Sequence, residues 1–321
     1  MACNDFLLWS GLFLRGGFTS FSQIMLQSNP LTGAVFILAI VIYSPLMAAA
    51  TILGCCVSQT CGLMLCHIGN QRHFKPEGHQ QALESGVYGF NGALAGLAVS
   101  SLWPWSWLVL ILLVIAAVLT SIILWLCWNR FHNTLYTTPF ILSIWGCWLL
   151  FSPQPNVYSA ATTAVPLASA EMGDVVSGLL SSSLAGIGQV MFLNSSVSGG
   201  LLLAGLFIAS RRAVLCSGVA VLLSMLIAMM SGLPEARVES GIYSYNAVLV
   251  VLALSSRGDH SLVKFIAGVF LTVLLTRLLQ LSGVIPLTAP FVMSIWLITL
   301  LSANPITQRL LKGILSDKAL L

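Results

Sequence analysis

The chain has 321 residues, of which 58% are hydrophobic and only 7% are charged. Because soluble domains carry about 25% charged residues, this composition excludes a water-facing globular surface and predicts a protein embedded in a membrane. The net charge of +4 is small and scattered, so no patch typical of nucleic-acid binding is expected.

The first half of the chain is predicted to contain five long apolar segments and one short one. Runs of about 20 apolar residues can cross the hydrocarbon core of a bilayer. The short segment, Val87–Ser101, follows a polar loop, His67–Gln81, and is predicted to be a half-helix that enters the membrane and returns. The long segments are Phe6–Asn29 (interrupted), Leu31–Ser44, Pro45–Cys66, Trp103–Trp128 and Pro139–Phe151.

Most of the eight cysteines lie inside apolar segments. Cys55, Cys56, Cys61 and Cys66 cluster beside His67, but they lack the CxxC spacing and no second matching pair follows. They are interpreted as small buried residues, and the sequence predicts neither a metal site nor a cofactor.

Three motifs occur twice in the same order and with similar separations, which indicates an internal repeat. Their shared features are a glutamine, a Glu-Ser-Gly turn and a Pro-Phe pair. The motifs are Gln23–Gly33 with Gln189–Gly199, Glu84–Asn91 with Glu239–Asn246, and Pro139–Trp145 with Pro290–Trp296.

The repeat predicts an all-α polytopic membrane protein made of two halves. The first repeat is predicted to span residues 1–151, followed by a proline-rich linker at 152–174, the second repeat at 175–303 and a C-terminal tail at 304–321. Since each half contains five crossings, an odd number, the second half is predicted to be inverted relative to the first, with a site at their interface.

Basic residues give a weak prediction of orientation, because cytoplasmic loops are enriched in Lys and Arg. One group favours both termini in the cytoplasm, and a second group does not fit that orientation. The first group is Arg130, Arg257, Lys264, Arg309, Lys312 and Lys318, and the second is Arg72, Lys75, Arg211 and Arg212.

Two glutamates, Glu84 and Glu239, begin the paired short apolar segments. Acidic residues at membrane depth are costly and are usually functional. A carboxylate is also favoured at a helix N-terminus, so the alternative is that each glutamate only caps a half-helix. Their occurrence as a symmetric pair favours a role in a pore.

Two further pairs are candidate pore residues. Gln23 and Gln189 lie in broken stretches rich in Gly and Ser, where the alternative role is a helix–helix hydrogen bond. Thr137 and Thr288 precede prolines that free backbone carbonyls, and the alternative there is a local bond to the backbone. Together with the glutamates they could form rows of acceptors between apolar walls. Composition alone does not identify the solute and indicates only a transporter with a polar-lined path.

At these motifs the sequence resembles the urea transporter family over nearly its whole length. The resemblance rests on Ser22–Gly33, Gly188–Phe192, the Gly86–Leu94 segment with its repeat, and the Thr-x-Pro-Phe pattern at Thr137 and Thr288. It implies passive urea conduction, a homotrimer with one pore per subunit, and two five-helix inverted repeats with pore half-helices. It also implies a multi-pass protein of the inner or plasma membrane, surrounded by lipid.

The resemblance assigns roles by motif position. Gln23, Glu84, Gln189 and Glu239 would line outer and inner urea sites, and Thr137 and Thr288 would line the central constriction. Leu26 and Phe192 would occupy the aromatic slot against which urea stacks, although Leu26 stands where the motif usually has Phe. The run Leu193–Ser196 also departs from the family pattern.

Two other functions are compatible with parts of the sequence. The chain could form a pore or carrier for another small amide or for ammonia. It could also be an intramembrane hydrolase, but Ser85 and Ser240 have no histidine near them in a helix-compatible register. The chain is therefore not expected to be an enzyme.

Overall fold

In the computed structural model, the described residues are 15–71, 79–131, 134–151 and 172–303, and every regular element among them is helical. Most of the predicted linker and the whole predicted C-terminal tail lie outside these ranges. The helices of the first half are α1 (15–23), α2 (Pro30–Tyr43), α3 (Pro45–Gln71), α4 (His79–Glu84), α5 (Val87–Leu102), α6 (Trp107–Phe131) and α7 (Thr138–Leu150).

The second half repeats this order. Its first helix begins inside the last three residues of the predicted linker and is followed by a short 3-10 turn, Gln189–Met191. The helices are α8 (Met172–Gly188), α9 (Ser196–Ala209), α10 (Arg211–Met230), α11 (Glu235–Glu239), α12 (Tyr245–Ser256), α13 (Leu262–Leu281) and α14 (Ala289–Ala303).

The helix lengths are those of a multi-pass membrane protein. Within the described residues, four helices are long and apolar enough to cross a bilayer, namely α3, α6, α10 and α13. A fifth span results if α8 and α9, which meet at a bend of 73°, are counted together. Five shorter apolar helices accompany them, so the prediction of an all-helical, polytopic membrane protein is confirmed.

The two short helices α5 and α12 lie inside the protein. Nearly every residue from Tyr88 to Val99 is buried, as is every residue from Asn246 to Leu254. A helix that is apolar on all sides is stable only where protein or lipid surrounds it. Here the surrounding material is protein, chiefly α3, α6 and α7 around α5.

Some predicted boundaries were wrong. α6 begins at Trp107 and not at Trp103, because the residue before a proline is driven to extended geometry and Trp103, which precedes Pro104, has φ −122° and ψ 139°. The polar loop is also shorter than predicted, since α3 continues to Gln71 and α4 covers part of the remainder.

Helices α2 and α9 join the two halves through a reciprocal pair of hydrogen bonds. Thr32 Oγ1 donates to the carbonyl of Gly205 at 2.9 Å, and Ser198 Oγ donates to the carbonyl of Ala39 at 3.3 Å. In the repeat, Thr32 corresponds to Ser198 and Ala39 to Gly205. Equivalent residues therefore exchange equivalent bonds, and the pairing of Thr32 with Gly205 and of Ala39 with Ser198 makes the two helices antiparallel.

Candidate functional site

The helices that carry the two glutamines break directly after them. α1 ends at Gln23, and α8 gives way to the 3-10 turn that starts at Gln189. The third residue after each glutamine has a left-handed backbone, with φ 58° at Leu26 and φ 60° at Phe192. This conformation costs a residue other than glycine about 1–3 kcal/mol and tends to occur at functional sites.

Phe192 does not share a helical face with Gln189. Helical spacing predicts that Phe192 shares a face with Gln189, but the α-helix has already ended at Gly188. The two residues are joined by a turn instead, in which the Phe192 N–H donates to the Gln189 carbonyl at 3.1 Å. Leu26 and Gln23 are joined in the same way at 2.9 Å.

Both glutamates end short helices that the sequence reasoning missed. Glu84 is the last residue of α4, and Glu239 is the last residue of α11. The residues at the N-caps of α5 and α12 are Gly86 and Ser244, and neither cap has a side-chain hydrogen bond. The capping interpretation is therefore wrong. The Glu84 side chain is exposed and that of Glu239 is half-buried.

A glycine after each glutamate lets the chain fold back onto the helix that carries the glutamine. Gly86 and Gly241 have φ values of 78° and 74°, which glycine adopts without the steric cost borne by other residues. In the first half, Ser20 Oγ donates to the Gly86 carbonyl at 3.0 Å. In the second half, a Cβ on Gly241 would collide with Gly186 of α8.

The two glutamines have different partners. Gln189 Nε2 donates to the carbonyl of Ser240 at 3.0 Å, so this amide lies beside the Glu239 turn and keeps its Oε1 as an acceptor. Gln23 Nε2 donates instead to Ser28 Oγ at 2.9 Å, within its own loop. The structure therefore brings one predicted Gln–Glu pair together by a direct hydrogen bond between their segments.

The two threonines meet at the interface of the halves. Thr288 Oγ1 donates to Thr137 Oγ1 at 2.7 Å, and the residues are 2% and 3% exposed. Thr137 and Thr288 occupy equivalent positions in the repeated Thr-x-Pro-Phe pattern, so this contact joins equivalent residues of the two halves. The alternative of a local bond to the backbone does not describe this pair, since each hydroxyl has the other as its partner.

Each threonine follows a strained residue. Tyr136 has φ 45° and Leu287 has φ 44°. These turns, 134–138 and 285–289, are here called the Tyr136 turn and the Leu287 turn. Like the break after each glutamine, the strain occurs at equivalent positions in both halves, which favours a functional cause over an accident of packing.

Two asparagines support the turns, and sequence reasoning gave them no role. Asn91 Oδ1 accepts from the Phe140 N–H and Asn246 Oδ1 accepts from the Phe291 N–H, both at 3.3 Å. Both asparagines are fully buried. The available signal was their position as the last residue of the repeated Glu-to-Asn motif.

The aromatic residues of the Pro-Phe pairs belong to the core. Phe140 and Phe291 are at most 1% exposed, whereas Leu26 and Phe192 are half-buried. Among the described residues, no group of three or more His, Cys, Asp or Glu could hold a metal ion.

Comparison with known proteins shows which family the chain is similar to. The profile of the family described as "Urea transporter" matches residues 13–303. The chain is 21% identical over 248 residues to urea transporter 1 of Capra hircus, covering 73% of this chain and 60% of the relative. It is 22% identical over 267 residues to urea transporter 1 of Mus musculus, covering 78% and 63%.

A shorter stretch is more similar. Over 80 residues, 24% of this chain and 21% of the relative, the identity to urea transporter 1 of Rattus norvegicus is 35%. The chain spans about three fifths of the length of the goat and mouse relatives. Since the family profile covers most of the sequence and both halves of the fold, the chain belongs to the urea transporter family.

Proposed function

We propose that the chain conducts urea passively through a pore at the interface of its two halves. The observation that carries this proposal is the buried contact between the hydroxyls of Thr137 and Thr288, equivalent residues of the two halves. A polar contact at such a position is unusual in an apolar protein core, because buried polar groups need partners of their own kind. In the proposed pore these hydroxyls are the acceptors at the point where a solute crossing between the halves would lose most of its water.

The chemistry of urea fits the residues arranged around this pair. Urea is flat and uncharged, and its four N–H bonds lie in the molecular plane. Oxygen acceptors from Gln, Glu, Thr and free carbonyls would bind these edges, while apolar side chains would contact the faces. Leu26 and Phe192 are half-buried beside Gln23 and Gln189 and are the proposed apolar walls of the outer and inner urea sites. Ions would be excluded, since apolar walls cannot replace their hydration shells.

An inverted arrangement of the halves is part of the proposal. It is supported by the antiparallel register of α2 and α9 and by the reciprocal bonds between them. The enclosed helices α5 and α12 are the proposed re-entrant half-helices, since both are short and each follows a glycine-containing turn. Helices broken near the centre of the membrane are typical of transporter sites.

The contacts of the basic residues support an orientation with both termini in the cytoplasm. Arg212 Nη1 lies 3.0 Å from His260 Nε2. This contact places the start of α10 beside the connection between α12 and α13, where Arg257 follows α12 and Lys264 lies in the first turn of α13. Arg257 also lies over the Tyr136 ring, at 5.1 Å, close to the end of α6. We assign the face that carries Arg212, His260 and Arg257 to the cytoplasm, which moves Arg212 to the group that favours cytoplasmic termini. Arg72 and Lys75 lie outside the described residues.

The homotrimer and the location in the inner or plasma membrane are proposed from the family resemblance. Many apolar side chains of the long helices are exposed, including Leu108, Ile111 and Leu215. Lipid and neighbouring subunits are the surfaces that such residues contact in membrane oligomers.

Urea uptake into proteoliposomes tests the proposed function. Flux should follow the urea gradient and should not change when a pH or sodium gradient is imposed. Accumulation of urea above equilibrium, driven by either ion, would reject passive conduction. A parallel panel of acetamide and ammonia separates urea from the alternative solutes, and preference for one of them would replace urea in the proposal.

A further inference from the structure

The tryptophans that close the repeated Pro-Phe motifs form hydrogen bonds across the interface of the halves. Trp145 Nε1, on α7, donates to the carbonyl of Ile285 at 2.9 Å. Trp296 Nε1, on α14, donates to the carbonyl of Thr134 at 2.8 Å. Trp145 corresponds to Trp296 in the repeat and Thr134 corresponds to Ile285, so these bonds are reciprocal.

The two acceptor carbonyls lie in the turns that carry the threonines. Thr134 begins the Tyr136 turn and Ile285 begins the Leu287 turn, each three residues before its threonine. Each turn is therefore held from the opposite half of the molecule. A shift of one half against the other would pull on both tryptophan bonds and on the threonine contact together.

The turns require such external support. Tyr136 and Leu287 are held in left-handed conformations, which persist only when the surrounding structure over-determines them. Helices α7 and α14 approach each other closely over few residues, so packing between these two helices is a small part of that support. The two indole bonds supply further support that is direct and geometrically specific. The Trp145 bond is partly buried, and the Trp296 bond is exposed.

We infer that Trp145 and Trp296 are positioning residues that hold Thr137 and Thr288 at the separation that sets the size limit of the pore. The inference rests on the proposed function for its solute. The tryptophans do not touch the solute themselves. They act through the backbone of the two turns, and their loss should widen or loosen the constriction.

The experiment compares Trp145→Phe/Trp296→Phe with Trp103→Phe in proteoliposomes. Phe removes the N–H and keeps an aromatic ring. Trp103 is a matched control, because its Nε1 donates to the Phe151 carbonyl at 2.8 Å within one half. The readout is the ratio of urea to N,N′-dimethylurea permeability, which a general loss of stability would not change.

The ratio should fall roughly three- to tenfold in the double variant, the size expected from losing one membrane hydrogen bond at each turn, and should stay unchanged in Trp103→Phe. An unchanged ratio in a folded double variant overturns the inference. So does an equal fall in the control, which would mean that any tryptophan–carbonyl bond has this effect. If the double variant is not recovered folded, each single variant is compared in the same way.

Hydrogen–deuterium exchange makes the test independent of transport. Amides in 134–140 and 285–291 should exchange faster in the double variant than in the wild type or in Trp103→Phe. If the wild type conducts no urea, the proposed function fails, and exchange alone decides the positioning role. Unchanged exchange in both segments would then overturn it.

Discussion

The Tyr136 turn and the Leu287 turn have the same backbone but different support. The Leu287 carbonyl accepts two side-chain bonds, from Tyr245 Oη at 2.6 Å and from Asn246 Nδ2 at 3.1 Å. At the equivalent positions of the first half, Phe90 has no hydroxyl, and Asn91 Nδ2 is buried with no hydrogen-bond partner. The Tyr136 hydroxyl and Thr138 Oγ1 are also buried without partners.

The two halves therefore share the backbone geometry of this turn but not the side-chain hydrogen bonds that support it. An unpaired buried polar group costs about 1–3 kcal/mol. The Tyr136 turn therefore carries a cost that the Leu287 turn avoids, and it is expected to be the less rigid of the two. Local stability of this kind differs between regions of one protein.

The largest effect on stability is expected from replacing Asn246, whose amide makes two hydrogen bonds where that of Asn91 makes one. Asn246→Leu leaves the Phe291 N–H unpaired and removes a bond to the Leu287 carbonyl, so it should cost about 2–3 kcal/mol of stability. Asn91→Leu also frees one N–H but eliminates an unpaired amide, so it should cost about 1 kcal/mol. Thermal unfolding in detergent compares the two variants. Equal losses of stability in the two variants would show that the different hydrogen bonding of Asn246 and Asn91 does not affect the free energy of unfolding.

The threonine pair should give the next largest effect. In Thr137→Val/Thr288→Val the shape is kept and the hydroxyls are lost, so a solute would lose acceptors at a cost of about 1–3 kcal/mol. Urea flux should then drop by about one to two decades, with little change in stability. Stopped-flow measurements of both single variants show whether the two turns contribute equally. Normal urea flux in a well-folded double variant would indicate that the narrowest part of the pore lies at Leu26 and Phe192 and not at the threonines.

The glutamates should differ because their surroundings differ. Glu239 is half-buried beside the turn bound by Gln189, whereas Glu84 is exposed. Glu239→Ala should slow urea about fivefold if one hydrogen bond of about 1 kcal/mol is lost, and Glu84→Ala should slow it less. Gln at either position keeps an acceptor oxygen and should have a smaller effect than Ala. Normal urea flux in folded forms of both Ala variants would show that the glutamates do not bind urea in the pore.

Removing the tyrosine hydroxyl makes the second turn resemble the first. Tyr245→Phe loses the 2.6 Å bond to the Leu287 carbonyl, while Asn246 still donates to the same atom. A loss of about 1 kcal/mol is expected, or roughly 2 °C in melting temperature for a protein of this size. The check is the melting temperature, and a loss as large as that of Asn246→Leu would mean that the tyrosine alone supports the turn.

The converse change should have the smallest effect. Phe90→Tyr places a hydroxyl where Tyr245 has one and offers a donor to the Tyr136 carbonyl. Because Phe90 is only 6% exposed, crowding will offset part of a gain of about 1 kcal/mol. A melting temperature slightly above that of the wild type is expected. A clear decrease would mean that the first half has no space for the missing donor.

Much of this arrangement could be predicted from the sequence because repeats and apolar lengths are visible in it. The segments around Pro45, Trp107 and Val87 were predicted because apolar runs have the length of helices that cross or enter a membrane. The contact between Thr137 and Thr288 is expected if a pseudo-two-fold symmetry brings equivalent residues of the two halves together. That assumption needs no knowledge of individual contacts.

Other features could not be predicted, because they depend on neighbours distant in the chain. Helices α4 and α11 are short and polar, so the residues up to Glu84 resemble a loop, and the glutamate itself resembles a cap. The left-handed backbones at Leu26 and Leu287 oppose the preferences of leucine. The amide of Asn91 is unpaired whereas that of Asn246 is bonded to the Leu287 carbonyl, a difference that two identical asparagines in a repeated motif do not reveal.

The enclosure of α5 has a consequence for how the chain is made. A helix with protein on every side, and with the polar side chain of Asn91 in its second turn, gains little from partitioning into lipid by itself. Two of the helices that cover it, α6 and α7, come later in the chain, so during synthesis α5 emerges before its surroundings exist. It must therefore wait at the membrane surface or in the insertion machinery until its later neighbours are inserted, and the same holds for α12 relative to α13 and α14. Biogenesis should accordingly proceed through an intermediate in which the long helices have crossed and the central ones have not.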